Sequence, residues 1–194
     1  MASYNPLLGA PSCNEMGASC DTGDSLLAGV GSHEQNWPNT IDGCNDQSAA
    51  IYQQDESIDR IVVRSKDGGT MTAGTSLEIQ ATVSTALDVS TRSNPGEQET
   101  MFMYYHQEST NSWKFICGRL TEPGIGSITF SCDFEIPESN YHTDCGSSCG
   151  LQKVRVNYGY GEYAVAACTE TGIWVSLLFS SFAVRWYRIF ITEQ

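Results

Sequence analysis

From residue 128 to residue 136 the chain alternates without a break. Ile128, Phe130, Cys132, Phe134 and Ile136 fall on one side, and Thr129, Ser131, Asp133 and Glu135 on the other. Successive side chains of a strand point to opposite faces, so this period turns one face to a core and the other to water. No helix satisfies it. The pattern recurs where Leu77, Ile79, Ala81 and Val83 alternate with Glu78, Gln80 and Thr82, and again where Val154, Val156, Tyr158 and Tyr160 alternate with Arg155, Asn157 and Gly159. Residues 58–64 are a β-branched run, and residues 101–105 and 113–117 are short aromatic-rich or apolar runs. No ten-residue stretch carries a helical apolar period. Six strands separated by turns predict an all-β chain, an antiparallel β-sandwich of jelly-roll type over residues 57–194.

Residues 1–56 read differently. They are turn-rich and weakly periodic, with Asp-Thr-Gly-Asp at 21–24 and Ile-Asp-Gly-Cys at 41–44, and predict a loop-rich acidic cap tied to the sandwich. The chain carries a net charge of −13, and its first base is Arg60, preceded by nine acids. So one-sided a segment repels phosphate, which argues against nucleic acid and anionic membrane as partners. Residues 173–184 carry no charge but are too few to span a bilayer, and Arg185 follows directly. A buried strand pair accounts for them most simply.

Eight cysteines are spread along the chain at 13, 20, 44, 117, 132, 145, 149 and 168. An even number scattered through a turn-rich β pattern predicts disulfides and an oxidising compartment, hence a secreted or extracellular protein. The opening residues MASYNPLLGAP lack the basic and apolar regions of a signal peptide, which fits a chain read after processing. Cys13 and Cys20 can close a local loop, and Cys145 and Cys149 a second. Cys44 then needs a distant partner, for which Cys168 is the late candidate. Cys117 and Cys132 predict a stapled hairpin. With Cys117 opposite Cys132, antiparallel register places Phe115 opposite Phe134 and Trp113 opposite Ile136, and centres a two-residue turn on Gly124-Ile125.

Chemistry is harder to place. His33, His106 and His142 are the only histidines, and no G-x-S-x-G, H-E-x-x-H or phosphate-binding loop occurs. His142, Cys145 and Cys149 suggest zinc, but a fourth ligand is missing and disulfide use competes. The carboxylates before the first strand of the sandwich, Asp42, Asp46, Asp55, Glu56 and Asp59, are the candidate metal ligands. Calcium takes six to eight oxygens from carboxylates, amides and backbone carbonyls on turns, and Asn45, Gln47, Gln53 and Gln54 stand nearby. The competing reading is a solvated acidic surface.

The run from Cys44 through Tyr52-Gln-Gln-Asp55-Glu56-Ser57-Ile58-Asp59-Arg60-Ile61-Val62-Val63, with Met103-Tyr-Tyr-His, Ser112-Trp113-Lys-Phe-Ile and Val154-Arg155-Val156-Asn157-Tyr158, resembles a class of uncharacterised extracellular β-sandwich modules of secreted microbial and algal proteins. The resemblance covers roughly residues 10–170. It implies a secreted, calcium-binding, non-catalytic module. The class ends in an Asp-rich strand after the last cysteine, whereas here Cys168-Thr-Glu-Thr-Gly172 leads into Ile-Trp-Val-Ser-Leu.

These readings converge on a non-catalytic extracellular structural or adhesive module, calcium-stabilised and working with other extracellular proteins or by self-assembly. The alternatives are a carbohydrate-binding module and a secreted hydrolase. Aromatic residues are numerous enough for a sugar platform. A coplanar exposed row of rings favours glycans, and rings in the core favour a scaffold.

Overall fold

The computed structural model describes residues 1–13, 15, 17–28, 41, 53, 57–72, 74–85, 99–107, 110–121, 126–135, 151–160 and 173–180. They form ten strands in two sheets. These are β1 (Ser3–Asn5), β2 (Ala10–Cys13), β3 (Ser19–Asp21), β4 (Ser57–Ser65), β5 (Ser76–Ser84), β6 (Glu99–Gln107), β7 (Ser112–Thr121), β8 (Ser127–Glu135), β9 (Leu151–Tyr160) and β10 (Ile173–Ser180). The larger sheet has the order β1-β2-β10-β9-β6-β7, and the smaller β3-β4-β5-β8. Every pairing is antiparallel except one, for β10 runs parallel to β2 at Leu178–Ser12 and Phe179–Cys13.

The alternating residues do what their period demands. Leu77, Ile79, Ala81 and Val83 on β5, with Val154, Val156 and Tyr158 on β9, are buried between the sheets against Ile61, Val63, Met101 and Met103. Each of the buried Val, Leu, Ile and Met side chains gains about 1.5–3 kcal/mol from leaving water. Two bulges re-aim this pattern. In β4, Ile58 pairs with Val83 but Arg60 with Thr82, so Asp59 is an extra residue and Ile58 and Ile61 both reach the core. In β7, Cys117 pairs with Met103 and Phe115 with Tyr104, which makes Ile116 the extra residue.

Three strands come from the segment expected to be a loop-rich cap. β1 and β2 belong to the larger sheet and β3 to the smaller, so residues 3–21 are built into the sandwich itself. Short runs such as Ser-Cys-Asp carry no periodic signal and gain their strand geometry from their neighbours. The uncharged C-terminal run supplies β10, which sits inside the larger sheet between β2 and β9.

The hairpin expected for Cys117 and Cys132 does not form. The disulfide is present, with 6.4 Å between the Cα atoms, but β7 pairs with β6 and β8 with β5, in different sheets. Both cysteines point into the space between the sheets, and at this flank the two layers pinch together. Residue alternation reveals which face is buried, not which sheet a strand joins, so an arch between sheets and a hairpin within one give the same signal. Cys13–Cys20 does the same at the opposite flank, joining β2 to β3 across 5.8 Å. The sandwich is thus stapled between its layers at both sides. Residues 124 and 125, Ile136, and Cys44, Cys145, Cys149 and Cys168 lie outside the described residues.

Candidate functional site

The two outer faces of the sandwich differ sharply. On the smaller sheet the outward side chains, Val62 apart, are hydrophilic, and several pair with one another. Arg64 donates to Glu78 at 2.5 Å, Lys66 to Asp133, and Thr82 shares a hydroxyl contact of 2.8 Å with Thr129. This is an ordinary solvated face, and such exposed ion pairs stabilise little.

On the larger sheet the outward set is Thr100, Phe102, Tyr104 and His106 of β6, with Trp113, Phe115, Gly118 and Leu120 of β7 and Arg155, Asn157 and Gly159 of β9. Thr100, Tyr104, His106, Arg155 and Asn157 are all buried, although they face away from the core. The Arg155 guanidinium lies 4.0 Å above the Trp113 ring, and His106 meets the same ring edge-on with centroids 5.2 Å apart. A cation over an indole face is attracted by the ring's negative quadrupole. Burial pushes the Tyr104 phenol up to about 12, opposed by the nearby Arg155 charge. Phe102 and Tyr104 both touch Phe115, at 6.0 and 5.9 Å between centroids. Phe115 is 58% exposed and gives the cluster an end in solvent.

Asn157 stands out within this face. Its side chain is fully buried, and neither Nδ2 nor Oδ1 has a hydrogen-bond partner among the described residues. A buried polar atom left unmet costs about 1–3 kcal/mol. Sequence reading missed this layer because Arg155, Asn157 and Gly159 alternate with apolar residues and so look like a solvated strand face. The available hint is composition: arginine, asparagine and tryptophan on one face are unusual for plain solvent exposure.

Of the expected calcium ligands, Asp42, Asp46, Asp55 and Glu56 lie outside the described residues. Asp59 is buried at the β4 bulge, where it accepts hydrogen bonds from Ser57 (2.6 Å) and Ser84 (2.7 Å), one on each carboxylate oxygen. Burial raises its pKa, against the two hydroxyls. Both oxygens are therefore engaged, Oδ1 within β4 and Oδ2 across to β5. Upstream, Asp21 pairs twice with Arg60, at 2.5 and 2.9 Å, which holds its carboxyl below the usual carboxylate range. Among the described residues no three His, Cys, Asp or Glu side chains converge. His33 and His142 are outside the described residues.

Of the rings expected to form a sugar platform, Trp37, Tyr52, Tyr141 and Tyr163 lie outside the described residues. Tyr105 stacks on Phe134 across the core, and Tyr158 is buried there with its hydroxyl donating to Glu99. The rings of the outer face meet at 54° and 67°, so no coplanar row exists among the described residues. A recess of about 400 Å³ is lined by Ser3, Ser12, Cys13, Glu15 and Ser19 beside the Cys13–Cys20 staple. No helix among the described residues is long and apolar enough to cross a membrane. No protein-family model matches the chain, and no curated protein matches it.

Proposed function

We propose that the chain is a non-catalytic extracellular module with a structural or adhesive role, acting as a subunit of a larger surface or extracellular assembly. The observation that carries this reading is the pair of inter-sheet disulfides, one at each flank. Each staple joins one layer to the other, so the layers cannot part at either flank without breaking a covalent bond. Such bonds persist where thiols are kept oxidised, which fits the extracellular space. Calcium bound by Asp42, Asp46, Asp55 and Glu56 belongs to the same proposal. Asp59 is left out, because its oxygens already serve Ser57 and Ser84.

Sedimentation of the oxidised protein tests the assembly role, with concentration-dependent association as the expected result. Turnover of a glycoside or ester substrate, abolished by changing a carboxylate of this chain, would replace it with a hydrolase. For calcium, the expected result is a melting temperature that rises with added ion and falls with chelator, because a ligand of the folded state stabilises it by mass action. Identical melting curves in both conditions refute it.

A further inference from the structure

We propose that β8 is the surface through which two copies of the chain join, edge to edge around a twofold axis, so that the smaller sheet runs on from one copy into the other. This names the partner in the assembly reading and rests on it.

A strand at the end of a sheet keeps a row of backbone N–H and C=O groups that its own sheet does not use, and such a row is a template for another strand. Among the described strands, β1 and β7 end the larger sheet, and β3 and β8 the smaller. Three of these edges are guarded. β1 and β3 have three residues each, and β7 carries a bulge with Lys114 and Arg119 beside it. β8 pairs with β5 over nine residues without a register shift, contains no base, and has no strand on its other side among the described residues. Its core-facing row is also less covered than that of its neighbour. Ile79, Ala81 and Val83 of β5 are fully buried, whereas Ile128, Phe130 and Phe134 of β8 are only half-buried. A further strand along this edge would complete their cover.

The sequence of β8 fits a second β8. Inward and outward side chains must keep to their own faces, so an antiparallel pair of these strands can match odd-numbered residues only with odd, and even with even. Of those registers, the one centred on Ser131 overlaps all nine residues. It sets Ser131 opposite Ser131 and, on the inner face, Ile128 opposite Phe134. On the outer face Asp133 meets Thr129 and Glu135 meets Ser127, so neither acid faces an acid, and Asp133 is already paired with Lys66 of its own copy. A self-complementary edge of this kind closes at two copies.

The test is sedimentation velocity of the oxidised full-length chain, with variants at exposed positions of β8. The wild type should dimerise. Ser131→Lys sets two ammonium groups opposite each other at the axis and should weaken the dimer about tenfold or more, while the diluted monomer keeps its circular dichroism spectrum. Ser131→Cys should cross-link into a covalent dimer on non-reducing gels, since opposed Cα atoms lie about 4.5–5.5 Å apart, within reach of a disulfide. Thr129→Cys should not, because its counterpart stands four residues further along the pair, about 13 Å away. Should Ser131→Lys fail to fold, the two cysteine variants decide alone. Equal cross-linking of both, or fibres in place of a discrete dimer, overturns the proposal. Association that Ser131→Lys leaves intact also overturns it but keeps the assembly reading, which then uses another surface. A wild type that stays monomeric at every concentration takes down self-assembly together with the proposal.

Discussion

At the β4 bulge and at the end of β3, two aspartates meet opposite environments, and the stability of the fold should depend on pH in opposite directions through them. Asp21 has its pKa lowered by the Arg60 guanidinium. The stability it contributes is present above the unfolded carboxyl pKa, near 3.9, and is lost as pH falls through its lower folded value. Asp59 has its pKa raised by burial. Its contribution is full below the unfolded value and is lost as pH rises through the folded one. Melting temperatures taken from pH 2 to 7 should therefore show an acid-side fall that Asp21→Asn removes. They should also show a decline above about pH 4 that Asp59→Asn flattens. Because Asp21 is partly exposed and Arg60 more so, the first effect should be small and should shrink in salt.

For the strands, the legible part was their existence. β4, β5, β6, β7, β8 and β9 all occur where alternation or β-branched runs placed them, within two or three residues at most ends. What alternation leaves out is the partner. Ser57 and Arg60 look like neighbours on one regular strand, yet the extra Asp59 reverses which face follows. Trp113, Phe115 and Cys117 look like one face until Ile116 intrudes, after which Phe115 turns outward while Cys117 stays with the core. β1, β2 and β3 were invisible because three or four residues carry no period. At the edge, β7 presents Lys114 and Arg119 beside its bulge, a combination that discourages unplanned strand addition. Its Gly118 is required by contact: a Cβ there would sit 2.8 Å from the Phe102 ring. Gly118→Ala should cost about 1–3 kcal/mol in chemical denaturation and displace Phe102. Ile79→Ala, in the fully buried centre of β5, should cost about 2–5 kcal/mol.

At the scale of the whole molecule, the staples divide stability unequally. Cys117–Cys132 spans 15 residues and Cys13–Cys20 only 7, so by the loop-length model the first contributes about 3 kcal/mol, roughly 0.7 kcal/mol more than the second. Cys117→Ala/Cys132→Ala should lower the melting temperature more than Cys13→Ala/Cys20→Ala, measured by calorimetry under oxidising conditions. A larger loss from the short loop would show that the N-terminal flank carries the sandwich. The position of β10 has a further consequence, for the order in which the protein can be made. This strand occupies the slot between β2 and β9, yet it is the last of the described strands to leave the ribosome. Until residues 173–180 emerge, β2 has no neighbour on one side and β9 none on one of its own, so the larger sheet exists as two separate pieces. The contacts that join them link residues about as far apart as the described chain allows, which makes this closure slow and leaves open strand edges meanwhile. Closure of the larger sheet therefore waits on β10, and until it docks the edges of β2 and β9 are open to unplanned pairing.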